Sequence, residues 1–362
     1  MRLRDAYTAK AIALAHTEVA SNKIPYLGSA LFPAQKKMGL DLKWIKTSKG
    51  LPVTLKASAF DTVSTIRSRE GIKIQETEMA FFKESMLVKE VDEQEILRVK
   101  ESSDPYAQEV LNRIFNDAET LIDGANVVPE RMIMQLLNPP YTGGSEGSPC
   151  ISISADGATY AYNYDPDGSY AANNYEKLTG TAKWDTAAVS STADPIKDIQ
   201  DAQDAVEAKT GTRPSIAIMS RATFNYVKAC PTIQNYILAQ NVSANVVITD
   251  ARVKELFLSE LGVTIIVYTK QYKDESGTTQ KFFADGYCAL IPEGSLGNTW
   301  YGTTPDERTL MSDPNYDTVL VNTGVAVTVT TTSDPVQTKT TVSEIVLPSF
   351  ERMDETFVIK AY

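Results

Sequence analysis

Residues 104–140 carry apolar side chains at helical spacing: Val110, Leu111, Ile114, Phe115, Ala118, Leu121 and Ile122, and then Met132, Ile133, Leu136 and Leu137. Asp104 before Pro105 supplies a cap and a first-turn proline, and Pro139 with Pro140 ends the pattern. Gly124 and Pro129 interrupt the run, which predicts a kink or a break near Asn126. The total helical length is of order 50 Å. Because the stripe is one-sided, other parts of the chain must cover one flank of a long rod.

The rest of the chain has material to do so. Its 362 residues exceed the ~250–300 at which one hydrophobic core stops growing, so two compact regions are expected. A composition of 43% hydrophobic and 22% charged residues is that of a folded, globular chain. The net charge of −11 repels a phosphate backbone, which argues against a general nucleic-acid coat. One histidine, His16, excludes most zinc sites and any catalytic triad with a histidine base elsewhere. Cys150, Cys230 and Cys288 are odd in number and widely spaced, so neither a disulfide framework nor a metal knuckle is expected, and a reducing compartment fits. No uninterrupted secretory apolar region follows Met1, and the longest apolar runs, such as residues 263–268, are strand-sized, so a soluble protein without a membrane span is expected.

Residues 4–22 read as a short alanine-rich helix, followed by an apolar, irregular stretch with Tyr26, Leu27, Leu31 and Phe32 that is expected to await a partner. Residues 40–91 alternate apolar and polar side chains, as at 53–56 and 72–79, and predict a two-stranded projection that is marginal by itself. Charge is segregated along this part. Residues 36–73 hold nine basic and three acidic side chains, hence +6, whereas residues 74–119 hold five and twelve, hence −7. The two blocks are either solvated faces of opposite sign or a positive projection that lies on the negative segment of a neighbouring copy.

After the long helix, strands 151–154 and 159–162 flank Asp156 and Gly157 as a hairpin. A helix from Asp194 and Pro195 to Lys209 is stopped by Gly211, and residues 215–219 form a buried strand entering a helix at Ser220. Helices near 223–229, 232–239 and 249–261, the strand 263–268 and a polar hairpin at 272–280 complete a compact α+β region. Residues 319–331, 336–347 and 355–362 alternate and predict strands that return to the earlier sheet.

Candidate chemistry is sparse. Asp165, Asp167 and Gly168 resemble the start of a calcium loop but lack its further ligands, so a turn is expected. Gly143, Gly144 and Gly147 lack the lysine and spacing of a phosphate loop. The carboxylate pairs Asp92 with Glu93 and Asp201 with Asp204 sit in polar or helical surface contexts. Trp44, Trp184 and Trp300 read as packing anchors, His16 as a surface or contact residue, and Cys230 as a small buried residue. Catalytic, cofactor and metal residues are therefore expected to be absent.

The order of these parts, with TIRSREG at 65–71, GTAKW at 180–184 leading to Asp194 and Pro195, VTIIVY at 263–268 with Gln271 and Tyr272, and DETFV at 354–358, resembles the major capsid (head) proteins of tailed bacteriophages of the lambda type. The resemblance implies the Hong Kong ninety-seven capsid fold: an N-arm at 1–35, an E-loop at 36–90, a P-domain with the long spine helix at 91–190, an A-domain at 191–319, and P-domain return strands at 320–362. It implies hexamers and pentamers of self-associated subunits closing an icosahedral shell around packaged double-stranded DNA. The DNA would be met only by non-specific proximity, since an acidic wall avoids adhesion.

It further implies a virion protein assembled in the host cytoplasm, with a portal, a separate scaffolding protein and a decoration protein as partners. The scaffold is expected to be separate because no long helical extension precedes the arm. Arg67 and Arg69, with the adjacent Glu70, are the candidate inter-subunit contacts of the E-loop. A cross-linking lysine among Lys46, Lys49 and Lys56 is not selected by anything in the sequence. The alternatives are an encapsulin-like compartment shell of the same fold, or a soluble α+β hydrolase or binding protein.

Overall fold

The computed structural model describes residues 25–45, 74–91, 94, 106–139, 146–155, 158–185, 192–239, 248–310, 317–333 and 336–362. In chain order the elements are α1 (Gly28–Leu31), β1 (Ala34–Lys36), β2 (Asp41–Ile45), β3 (Ile74–Glu78), β4 (Ala80–Val88), α2 (Tyr106–Leu137), β5 (Cys150–Ala155), β6 (Ala158–Asn163), α3 (Ser169–Asn173) and β7 (Tyr175–Lys177). There follow α4 (Pro195–Thr210), β8 (Ile216–Met219), α5 (Arg221–Ala229), α6 (Pro231–Ala239), α7 (Asp250–Leu261), β9 (Thr264–Val267), β10 (Gln271–Lys273), β11 (Thr279–Lys281) and β12 (Tyr287–Ile291). The last strands are β13 (Gly297–Tyr301), β14 (Asp317–Val321), β15 (Val325–Ser333), β16 (Val336–Phe350) and β17 (Phe357–Lys360).

The chain divides into two compact units. The first comprises Met1–Lys43, Glu76–Arg131 and Asn298–Ser349, and the second Trp44–Gln75, Met132–Gly297 and Phe350–Tyr362.

In the first unit a six-stranded sheet runs β1-β13-β16-β15-β14, with β4 also on β16. β4 pairs antiparallel with β16 from Thr338↔Val88 to Val346↔Ala80, and β15 pairs antiparallel from Ser333↔Val336 to Ala326↔Ser343. The projection read over residues 40–91 is thus interrupted. β2 and β3 pair with each other, while residues 80–88 spend their alternating pattern on a remote strand that covers their backbone groups better than a lone hairpin would. The alternation read as one strand over 319–331 is two strands, because Asn322 takes a left-handed φ of 57° and turns the chain between β14 and β15. The apolar stretch read after residue 22 is also not left waiting for a partner. Leu31 and Phe32 are buried, and β1 pairs in parallel with β13 from Ala34↔Thr299 to Lys36↔Tyr301.

The 32-residue helix α2 runs without a break through Gly124 and Pro129, about 48 Å at 1.5 Å per residue. The break, one of the two expected outcomes, is overridden by packing on both sides of the proline. Leu121, Ile122 and Ala125 precede it and Met132, Ile133, Leu136 and Leu137 follow it, all buried, and burial of this kind outweighs the ~3 kcal/mol a mid-helix proline costs.

In the second unit the sheet order is β7-β17-β12-β8-β9. β8 and β9 run parallel, β12 is antiparallel to β8 and to β17, and β17 runs parallel to β7. The sheet and helices enclose a core that includes Trp184, Ile199, Phe224, Phe257, Leu290 and Ile359. Local rules place its helices. Asp194, Ser220 and Thr249 accept from Lys197, Thr223 and Arg252 amides as N-caps, and Gly211 and Gly262 close α4 and α7 at φ 77° and 67°. β5 and β6 form the expected hairpin.

Candidate assembly surfaces

In the first unit, β1 and β4, which lie in the chain just outside the β2–β3 pair, are held by charged side chains. Lys36 on β1 pairs with Glu307 at 2.6 Å, and Lys83 on β4 pairs with Asp306 at 2.9 Å. Asp306 and Glu307 begin a π-helical turn, Asp306–Leu310, and the buried Asp306 also accepts from the Ser343 hydroxyl of β16 at 2.8 Å. The Lys37 ammonium donates to the Asp41 carbonyl at 2.9 Å. Lys36, the first of the nine basic residues in the positive block, therefore has its partner within the chain and outside the acidic block. Along the same parts of the chain Met38, Leu40, Leu87 and Val91 are exposed. Met38, at 89% exposure, offers its thioether to solvent almost entirely, an arrangement typical of contact surfaces.

Arg67, Arg69 and Glu70, and the lysines Lys46, Lys49 and Lys56, lie outside the described residues, as do His16, Asp92 and Glu93.

In the second unit the exposed large apolar side chains are Tyr226, Tyr236, Leu238 and Leu258, on α5, α6 and α7. Tyr226 is fixed edge-on against Tyr362, with ring centroids 5.1 Å apart. Glu146 receives Lys177 at 2.8 Å and Lys360 at 3.1 Å. Their bonds, Lys177 foremost, hold the Glu146 carboxyl below its ordinary range.

The hydroxyl, carboxyl and thiol groups with catalytic potential are engaged in structure. Ser220 donates to Asp285 at 2.6 Å and Lys281 pairs with Asp285 at 2.6 Å, yet the same hydroxyl accepts from the Thr223 amide and caps α5. Asp165 is buried and accepts from Ser148 and from the amides of Tyr170 and Ala171, which makes the Asp165–Gly168 segment the expected turn. All three cysteines are buried; Cys230 donates to the Ala193 carbonyl, and burial pushes the Cys288 thiol up to about 12. Trp184 donates its indole proton to Asp198 at 2.7 Å and Trp300 donates to Ser349 at 3.1 Å, while Trp44 is buried 5.4 Å from the Tyr164 ring centroid. They are packing anchors. Asp201 and Asp204 are surface groups of α4, within reach of Lys197 and Arg213 respectively.

Among the described residues no group of three or more histidine, cysteine or acidic side chains is arranged to hold a metal, and no helix is long and apolar enough to cross a membrane. Two acidic residues that sequence reasoning passed over are built into the first unit. Glu130 of α2 accepts from the amides of Leu27 and Gly28 at 3.1 and 2.8 Å. Glu344 of β16 is fully buried. Period-two spacing with Val342 and Val346 already placed Glu344 on an apolar strand face.

No curated protein matches the chain. Among solved structures, a phage-related protein from Bordetella bronchiseptica RB50 is similar over 98% of this chain and 97% of its own, at 14% identity and a TM-score of 0.55. A protein assigned as the capsid protein of a prophage of Escherichia coli CFT073 is similar over 98% of this chain and 99% of its own, at 15% identity and a TM-score of 0.55. The model of the phage major capsid protein E family matches residues 9–361. With a match over nearly its whole length, the chain belongs to the phage major capsid protein E family and is a capsid shell protein on the α+β Hong Kong ninety-seven capsid fold.

Proposed function

We propose that this subunit assembles as hexamers and pentamers into an icosahedral head enclosing double-stranded DNA, that it does so in the host cytoplasm, and that it performs no catalysis. The observation that carries the reading is the family match over residues 9–361. Burial of all three thiols, and the capping or ion-pairing duties of Ser220, Asp285 and Asp165, support the absence of catalysis. In this reading the N-arm is 1–35, the E-loop 36–90, the P-domain 91–190 with return strands 320–362, and the A-domain 191–319. Portal, separate scaffolding and decoration proteins are the partners, and the DNA is met only by non-specific proximity.

Arg67, Arg69 and Glu70 are proposed as E-loop contacts to a neighbouring subunit, since two guanidinium groups two residues apart suit bidentate pairing with carboxylates. The test is electron microscopy of the purified chain with and without the double substitution Arg67→Glu, Arg69→Glu. Rings, tubes or closed shells are expected from the wild type. Deformed or absent assemblies are expected from the double variant, with unchanged thermal melting of the unassembled subunit. A wild-type chain that stays monomeric at high concentration contradicts shell formation, and normal shells from the variant contradict the arginine contacts.

A further inference from the structure

Residues of β16 alternate between two faces of the six-stranded sheet. Ser343 bonds Asp306, and Ile345 packs where a side chain on Gly302 would stand. On the other face Val342 belongs to an apolar cluster with Leu121, Ile122 and Ala125 of α2. Glu344 shares that face and stands opposite Phe82 of β4. It is 1% exposed, and among the described residues neither carboxyl oxygen has a hydrogen-bond partner. A charged carboxylate in such a place is the costliest group a fold can bury, whereas a neutral one leaves only a hydroxyl and a carbonyl unmet.

We propose that Glu344 is a proton-controlled catch on this sheet: it keeps its proton in the folded subunit at neutral pH, and its ionisation releases the helix-covered face of β16. Burial alone pushes its carboxyl well above the usual range. An unfolded glutamate gives up its proton near pH ~4.3. Above that value the folded chain binds one proton more than the unfolded chain. Stability is therefore greatest below the ordinary carboxyl range and falls as pH rises, by up to about tenfold in the folding equilibrium per pH unit, until Glu344 itself ionises.

Among the described residues the surrounding elements supply no counter-charge to Glu344. β4 contributes Glu84, which is exposed, and its Lys83 is engaged by Asp306. β13 contributes Tyr301, whose hydroxyl is raised by burial first and by the Glu344 charge second. β15 contributes valines, β14 carries Asp317 at its far end opposite Val329, and the described part of α2 carries Glu119, Asp123, Glu130 and Arg131, with Glu130 bonded to the α1 amides.

The catch is a property of the single subunit and stands whether or not shells form. The full-length chain is unfolded with urea at pH 5 to 9 as wild type, Glu344→Gln and Tyr301→Phe, and the protonated-carboxyl carbonyl stretch is recorded by infrared at pH 8. The wild type is expected to lose stability relative to Glu344→Gln with rising pH, approaching tenfold in the equilibrium constant per unit. Tyr301→Phe is expected to follow the wild type. An infrared band that Glu344→Gln removes is expected in the wild type. Parallel pH profiles for wild type and Glu344→Gln, or no protonated-carboxyl band in the wild type, overturn the proposal. If Glu344→Gln does not fold, Glu344→Leu, which leaves no polar group to bury, takes its place in the comparison, and the wild-type band still decides.

Discussion

Gly147 and Gly168 both have positive φ, 92° and 68°, but only one is also pressed by a neighbour. A Cβ on Gly147 would collide with the Tyr175 ring, whereas one on Gly168 meets open space. Gly147→Ala is therefore expected to cost about 3 kcal/mol, from backbone strain plus overpacking, against roughly 1 kcal/mol for Gly168→Ala. Thermal melting of the two variants side by side checks the ordering. Asp198 gives a second residue-scale test. Burial pushes its carboxyl up to about 6 although the Trp184 indole bond opposes the shift. A raised carboxyl is worth most at low pH, so this contribution is present below pH ~4 and is lost as pH rises to about 6, amounting to ~1–2 kcal/mol after allowance for partial exposure. Asp198→Asn keeps an acceptor for the indole and should flatten the stability profile between those pH values. An unchanged slope in urea titrations argues against it.

Helix α2 shows an element defeating its own sequence. Pro129 removes a backbone donor in the helix interior, yet buried side chains on both sides keep the helix continuous. Pro129 is half-buried, so Pro129→Ala restores that donor while giving up only part of a ring's packing, and an increase in stability of about 1–3 kcal/mol is expected. A fall in melting temperature instead shows that the proline ring is itself required by its neighbours. One residue on, Glu130 does for α1 what a cap would do locally, since the α1 cap residue, Leu27, makes no side-chain bond. Glu130→Ala leaves two backbone donors unmet and is expected to cost about 2–4 kcal/mol. Hydrogen exchange of the Leu27 and Gly28 amides should speed up selectively, and unchanged protection there contradicts the capping role.

At the scale of the molecule, small contact energies count because a shell repeats them. A loss of ~1 kcal/mol at one interface changes an equilibrium about fivefold, and the changes compound as subunits add. Exposed ion pairs are screened by salt, so shells held by the proposed arginine contacts are expected to assemble less well at high ionic strength. Light scattering during assembly at increasing salt checks this, and salt-independent assembly counts against charged contacts.

Features encoded within a few residues are fixed locally. Asp194 with Pro195, Ser220 and Thr249 announce helix starts, Gly211 and Gly262 announce stops, and the hairpin of β5 and β6 follows from two alternating runs around a glycine. The order of such local signals was enough to carry a family resemblance and the fold class. The turn at Asn322 was equally legible, from Asn and Gly two residues apart, and was masked by the valine alternation on either side.

Which remote strands meet is not fixed locally. β4 chose β16, with Ser85 and Thr341 bonded 256 residues apart. β1 lies parallel to β13, and β17 runs between β7 and β12. Period-two alternation fixes which face of a strand is apolar but not which partner covers it. Pairing is settled by the burial and backbone bonding summed over all strands at once. The two buried glutamates have the same origin: the strand pattern put Glu344 on an apolar face, but only the assembled sheet left it without a partner among the described residues and gave Glu130 two amides to hold.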